Sequence, residues 1–258
     1  MRIATWNVNS LRVRLPQLLE WLAASAPDVV ALQETKLTDD AFPADELRAA
    51  GYHCVYSGQK TYNGVATLAR TELHGALRDI PGYDDPQRRV LAASVAGVRV
   101  INLYVPNGQS VDSDKYHYKL GWLRALRSWL RQELAAHAQL VVLGDFNIAP
   151  EDRDVYDPTA FEGATHVSPL ERDALARLHD WGLIDVFRRA HDASSVYSWW
   201  DYRAGDFHQG RGLRIDLVLA TAPVADRVEW TIIDRNARKG QQPSDHAPVV
   251  VDLAEAAV

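Results

Sequence analysis

This sequence predicts an α/β fold in which two β-sheets pack face to face with helices outside them. Strand-like and helix-like patterns alternate along all 258 residues, and strands occur in both halves. No Pro/Gly/Ser linker or low-complexity stretch divides the chain, so residues 1–258 are expected to form one domain. A hydrophobic content of 47% is ample for its core.

The first strand is Ile3-Ala4-Thr5-Trp6, followed by Asn7 and Asn9. Ser10 can cap a turn, and Leu15, Leu18, Leu19 and Leu22 then fall on one helical stripe, with Pro16 expected in the first turn, where proline is tolerated. Pro27 ends that helix, and the apolar run Val29 to Leu32 makes a second strand leading to Glu34. From Tyr52 to Val105 the pattern shortens to strands such as Gly64 to Ala69, Val90 to Val95 and Val98 to Val105, with Ala96-Gly97 marking a hairpin. Tyr116, Leu120, Leu123, Leu126, Leu130 and Leu134 form the apolar face of the longest helix. Val141 to Leu143 is the next strand, and Gly144 is expected to turn the backbone where it ends. A helix follows from about Ser168 to Trp181, then an aromatic segment from Tyr197 to Tyr202, then strands at Leu217 to Leu219 and Val249 to Leu253. A weak twofold repeat of the halves is compatible with this order.

A single cysteine, Cys54, excludes an internal disulfide framework and a cysteine-rich zinc site, and reads as a small core residue. The start of the chain enters a strand pattern without the apolar core of a secretion signal, and no run approaches a membrane span, so a soluble cytoplasmic protein is expected. With a net charge of −6 the molecule is no general nucleic-acid coat. A hydrolase that releases its product needs only local cations around a metal-loaded acid cluster.

Five apolar strands are tipped with polar groups, and these tips are the candidate site. In an extended segment Asp145 and Asn147 project to the same side, one able to take a proton and the other to donate a hydrogen bond. Glu34 follows a fully apolar strand, where an acid is costly unless a cation or strong donors satisfy it; a hard divalent ion or a salt bridge to Lys36 would each do so. Asp245 and His246 are adjacent and diverge, so His246 takes its orienting carboxylate from elsewhere, with Asp216 the best candidate. Tyr104 and Asn107 in Tyr104-Val105-Pro106-Asn107-Gly108 can donate to a phosphate oxygen, although turn chemistry alone also explains Pro-Asn-Gly. Of Trp199 and Trp200, one reads as a stacking surface and the other as core.

Seven motifs in order resemble the exonuclease III family of apurinic/apyrimidinic (AP) endonucleases, within the endonuclease/exonuclease/phosphatase superfamily. They are Trp6-Asn7-Val8-Asn9, Leu32-Gln33-Glu34-Thr35-Lys36, Tyr104 to Gly108, Gly144-Asp145-Phe146-Asn147, Ser198-Trp199-Trp200-Asp201-Tyr202, Gly212-Leu213-Arg214-Ile215-Asp216 and Ser244-Asp245-His246. The resemblance implies a four-layer sandwich of two packed mixed β-sheets flanked by helices, with the site at one edge. It also implies Mg²⁺- or Mn²⁺-dependent hydrolysis of double-stranded DNA on the 5′ side of abasic sites, with 3′–5′ exonuclease and cleaning of blocked 3′ ends, by a monomer. By the same resemblance Glu34 would be the main metal ligand, assisted by Asn7 and Asp245, and Asp145 would activate water. Asn147 and Tyr104 would hold the phosphate, and His246 with Asp216 would stabilise its charge. Trp199, Leu213 and Ile215 would wall the sugar pocket, while Asn9, Lys36, Asn107 and Arg214 would contact the substrate.

Two other enzyme readings compete. A phosphatase or phospholipase acting on a non-DNA phosphate ester would share the Glu, Asp-x-Asn and Asp-His elements, but the Tyr104 and Trp199 segments favour DNA. A nonspecific nuclease would carry a second catalytic histidine where Tyr104 stands.

Overall fold

In the computed structural model, which describes residues 1–255, the apolar runs become the inner strands of two six-stranded sheets. The strands are β1 (Arg2–Asn7), β2 (Val29–Gln33), β3 (His53–Ser57), β4 (Val65–Ala69), β5 (His74–Arg78), β6 (Val90–Val95), β7 (Val98–Tyr104), β8 (Leu140–Asp145), β9 (Ile184–Asp185), β10 (Asp216–Ala220), β11 (Val228–Ile233) and β12 (Val249–Leu253). The helices that matter here are α1 (Leu11–Ser25), α2 (Ala44–Ala49), α3 (Asp114–Ala136), α4 (Pro169–Asp180) and α5 (Val186–Ala190).

One sheet has the order β11-β12-β1-β2-β4-β3 and the other β5-β6-β7-β8-β10-β9. Shifting every strand by half of the set of twelve converts one order into the other, so the topology is a twofold repeat. Each sheet has one parallel pair, β1 with β2 and β7 with β8, and antiparallel neighbours elsewhere. Parallel strands need a crossover, supplied by α1 in one half and α3 in the other.

Three apolar clusters build the layers. Ile3, Val29, Ala31, Val100, Val141, Leu143, Val218 and Val251 fill the space between the sheets. Leu18, Trp21 and Leu22 of α1 cover Ala4, Trp6, Val30 and Leu32 on one outer face. Trp122, Leu126 and Leu130 of α3, with Leu175 and Leu178 of α4, cover Ile101, Leu103 and Val142 on the other. Each valine, leucine or isoleucine among them taken out of water contributes about 1.5–3 kcal/mol. Between the sheets, below the strand tips, Gln33 donates to Asn102 (2.7 Å), whose amide donates in turn to the carbonyls of Leu32 (3.1 Å) and Ala66 (2.9 Å). This satisfied polar link ties the halves together directly beneath the strand tips.

Several local expectations are corrected. α1 begins at Leu11, so Pro16 lies inside the helix rather than in its first turn, and Ser10, at φ 87°, makes no side-chain cap. Gly144 does not turn the chain: β8 continues to Asp145, and a Cβ at Gly144 would lie 1.9 Å from the Leu103 carbonyl oxygen. It is there because the parallel strands approach too closely for a side chain. Cys54 is half-buried on edge strand β3, and burial pushes its thiol up to about 12. The helix over Pro169–Asp180 has the capping box formed by Ser168 and Glu171. Ala96 and Gly97 both take positive φ between β6 and β7, as a two-residue hairpin requires. Among the described residues, no helix is long and apolar enough to cross a membrane.

Candidate active site

Because the two sheets repeat one topology, both parallel pairs deliver their carboxyl ends to a shared edge. Asn7 ends β1, Glu34 follows β2, Tyr104 ends β7 and Asp145 ends β8. The antiparallel neighbours run the other way and bring their beginnings there: Asp216 opens β10 opposite Asp145, and His246 precedes β12.

Glu34, Asp145 and His246 each place a ligand atom within 4.8 Å of the others. The Asn7 amide bridges the two acids, donating to Glu34 Oε1 and to Asp145 Oδ2 at 2.9 Å each. Tyr104 donates its hydroxyl to Glu34 Oε1 (2.9 Å), and Lys36 Nζ lies 2.9 Å from Glu34 Oε2. The salt bridge weighed from sequence is therefore present alongside the acid cluster. His246 Nδ1 is 2.8 Å from Asp216 Oδ2, while its Nε2 faces Asp145 Oδ2 at 3.8 Å. Trp6 fixes the His246 backbone by donating its indole N–H to the carbonyl (3.1 Å), and Ser198 Oγ accepts from the Asp216 N–H (3.0 Å).

The electrostatics follow from this crowding. Burial favours the neutral acid at Asp145 and outweighs the pull of His246; with Asp216 and Glu34 adding repulsion, the carboxyl rises to about 7. His246 is opposed by burial, but Asp216 and Asp145 dominate and push its imidazole up to about 10. Burial also works to raise Glu34, yet Lys36 and the Asn7 amide hold it below the usual carboxylate range. Burial, reinforced by Glu34, keeps the Tyr104 phenol well above its ordinary value, so its proton stays available for donation.

The other candidates divide. Asn147 does not extend from Asp145 as strand alternation predicts: its φ is 50°, and its N–H donates to Asp145 Oδ1 (2.9 Å) in a tight turn. Its amide donates to the Val105 carbonyl (3.0 Å) and its Oδ1 accepts from the exposed Asn107 (3.2 Å). Asp245 diverges from His246, accepting from Asn9 (2.9 Å) and from the Trp199 indole (3.0 Å), and lies outside the three-residue cluster. Lys36 also donates to the Asn9 carboxamide oxygen. Trp199 is half-exposed and Trp200 fully buried, which separates surface from core. Leu213 and Ile215 are buried with Val155 behind Trp199, backing that wall rather than facing solvent.

Arg214 is a correction: it cannot reach a substrate. Its guanidinium is 0% exposed and pairs with Asp154 (2.7 Å) and Asp185 (2.8 Å), on the opposite side of the segment from Leu213 and Ile215. In the extended segment leading into β10, alternation turns an arginine between two buried aliphatics inward to a different acid pair. Replacing Arg214 with Met should destabilise the fold by about 3–5 kcal/mol by leaving buried acids uncompensated. Thermal melting checks this, and the enzyme that remains folded should keep near-native turnover.

His166 was not legible as a site residue. At φ 75° in a loop, its ring lies 6.5 Å from that of Trp199, and its Nδ1 is 2.7 Å from the Asn147 carbonyl oxygen. Burial and then Lys119 hold its imidazole down to about 4, so it is neutral and donates there. No periodicity or spacing marks a loop histidine 19 residues from its partner. Beside Tyr104 a cavity of about 600 Å³ opens, lined among others by Tyr62, Arg89, Asn107, Lys115 and Tyr118. Arg89 stacks over the Tyr104 ring at 4.6 Å.

Residues 4–246 match the model of the Endonuclease/Exonuclease/phosphatase family. The chain is 35% identical to exodeoxyribonuclease III of Haemophilus influenzae over 262 aligned residues, covering 96% of this chain and 98% of that one. It superposes on a 3′ phosphatase from Neisseria bound to a product DNA hairpin with a TM-score of 0.97 and 47% identity, covering 99% of this chain and 100% of the other. An AP endonuclease from Archaeoglobus fulgidus gives a TM-score of 0.95 at 37% identity, covering 98% and 99% respectively.

Proposed function

This chain belongs to the endonuclease/exonuclease/phosphatase family, in its exonuclease III branch, and from that we propose that it is a divalent-metal-dependent DNA-repair phosphodiesterase. Its substrates are double-stranded DNA with abasic sites, incised on their 5′ side, and duplexes with blocked or recessed 3′ ends. It acts as a cytoplasmic monomer, with residues 1–258 forming one catalytic domain. The meeting of Glu34, Asp145 and His246 within 4.8 Å carries this reading.

The donor set fits a hard dication. Two carboxylates, Glu34 and Asp145, share the Asn7 amide with Asp216 close behind, and a cation would stabilise the ionised Asp145 that burial, with Asp216 and Glu34, disfavours. Glu34 is the principal ligand in this proposal, with Asn7 and Asp245 as supporting positions; the ion is Mg²⁺ or Mn²⁺ by the preference for oxygen donors. A cation bound here supplies Lewis acidity to a phosphoryl oxygen. Asp145 takes a proton from water as the water oxygen bonds to phosphorus, the bond from phosphorus to the 3′ oxygen breaks, and the departing 3′ oxygen takes up a proton from solvent. That bond is common to incision 5′ of an abasic site, to exonuclease steps and to 3′-phosphate removal, and each leaves a 3′ hydroxyl. His246, charged and held by Asp216, balances the negative oxygens, while Tyr104, Asn147 and Asn107 orient the phosphate. Lys36 and Asn9, which contact each other beside Glu34, are assigned in this proposal to a neighbouring phosphate.

A second emphasis, toward 3′ ends rather than internal abasic sites, is favoured by the Neisseria 3′ phosphatase likeness. End-labelled abasic, nicked and 3′-phosphate duplexes, with soluble phosphate esters as a control and Mg²⁺ added or withheld, separate these outcomes. Turnover of the esters alone would overturn the DNA reading.

The pH profile provides a further check. Asp145 must be ionised, so kcat/KM should rise with pH along a limb at or below about 7, moving lower as metal concentration increases. His246 must stay protonated, so activity should fall as pH approaches about 10. The stability that His246 gains from its acids is complete below its unfolded value of 6.5 and is lost through about 10. A profile flat from pH 5 to 10 would contradict both assignments.

A further inference from the structure

Behind the phosphate-facing asparagines lies a buried ion pair that the mechanism above does not use. Lys119 on α3 and Glu171 on α4 are each 0% exposed and in direct contact. Joining two helices would require only that contact. The ammonium, however, also donates to the carbonyl oxygens of Asn147 (2.7 Å) and Asn107 (3.1 Å), which belong to two separate loops. Glu171 holds a third loop through the Thr165 hydroxyl (3.1 Å), the His166 N–H (3.1 Å) and Ser168 (2.6 Å). The Thr165 hydroxyl also lies 3.0 Å from the same Asn107 carbonyl, so its single proton is shared between that carbonyl and Glu171.

The loops are moulded around this pair. Gly108, next to Asn107, has φ +94°, and a Cβ there would meet Thr165 Oγ1 at 2.8 Å and Lys119 Cδ at 3.1 Å. Asn147 takes the left-handed region at φ 50°, which asparagine tolerates, and its carbonyl is thereby presented to the Lys119 ammonium.

We propose that Lys119 and Glu171 are positioning residues for the hydrolysis: one buried ammonium gathers the Asn107 and Asn147 loops at the separation their amides need to grip a phosphate. This rests on the reading of those asparagines as phosphate contacts. Three loops then share one buried anchor, so loss of the anchor changes the geometry of the transition state more than the binding of the duplex.

The double variant Lys119→Met/Glu171→Gln separates positioning from simple stability. It removes both charges together, so no unpaired buried charge remains and Tm is largely kept. It also removes the donor to both loop carbonyls. On a 3′-phosphate or abasic duplex, kcat is expected to fall about tenfold, the scale on which small misplacements act, with KM changed by less than about twofold. A merely structural pair predicts that kcat returns together with Tm, and that result overturns the proposal. Thr165→Val keeps the ion pair and deletes one donor to Asn107; it should lower kcat about two- to threefold with Tm held. If the double variant does not fold, native kcat in Thr165→Val overturns the proposal. The unsubstituted chain is assayed first: absence of turnover there overturns the functional reading, whereas native turnover with an unperturbed double variant overturns this inference alone.

Discussion

Asp145→Asn is expected to lower turnover by about 10³-fold or more, within the range that a general base supplies, while duplex binding survives. The carboxylate is 1% exposed and accepts from Asn7 and from the Asn147 N–H, so an amide of the same shape keeps much of this frame but cannot take a proton. Stability should move the other way. An acid pushed up to about 7 by burial and by neighbouring carboxylates is a destabilised anion at neutral pH, and a neutral amide relieves it. The variant should therefore melt at or above the native Tm. Single-turnover cleavage and a melting curve check both halves, and residual turnover within tenfold of native would remove Asp145 from its role.

His246→Gln carries the second large effect. The imidazole is 3% exposed and charged at neutral pH because Asp216 and Asp145 flank it. Removing a preorganised positive donor from a site where negative charge develops costs about 10²–10³ in kcat. It also leaves two acids without their shared partner, so this variant should lose stability where Asp145→Asn does not. That loss should shrink in acid, as the carboxylates protonate. Equal melting of the two variants at pH 7 would mean that His246 is neutral in the folded protein.

Strand tips were legible from sequence because each combined a buried apolar run with a polar residue that an ordinary strand would not end on. That pattern located Asn7, Glu34, Tyr104, Asp145, Asp216 and His246 before any geometry was known. The two-sheet architecture was legible too, from alternating elements, whereas the twofold strand order was not: equivalent strands half the chain apart leave no local signal, and β1 pairs with β12 from the far end of the sequence. Asn147 was placed by strand alternation, which failed because β8 stops at Asp145 and the next turn is left-handed. Arg214 is expected as a substrate contact from the family resemblance; only the distant Asp154 and Asp185 reveal its burial. Lys119 lies on the inward side of an otherwise apolar helix face, with its acid 52 residues away on α4. His166 sits in a loop with no periodicity. For Arg214 and Lys119 what escaped the sequence was a long-range polar pairing, which sets geometry without leaving a pattern.

The convergence of two half-chains on one dication and one phosphate is tested most directly by calorimetric titration of Mn²⁺ into the native protein and into Glu34→Gln. One site is expected in the native protein. Its affinity should drop at least about 100-fold in the variant, since even outer-shell changes at metal sites cost up to that much. Undiminished Mn²⁺ binding in Glu34→Gln, with cleavage of the duplex still intact, would contradict the account.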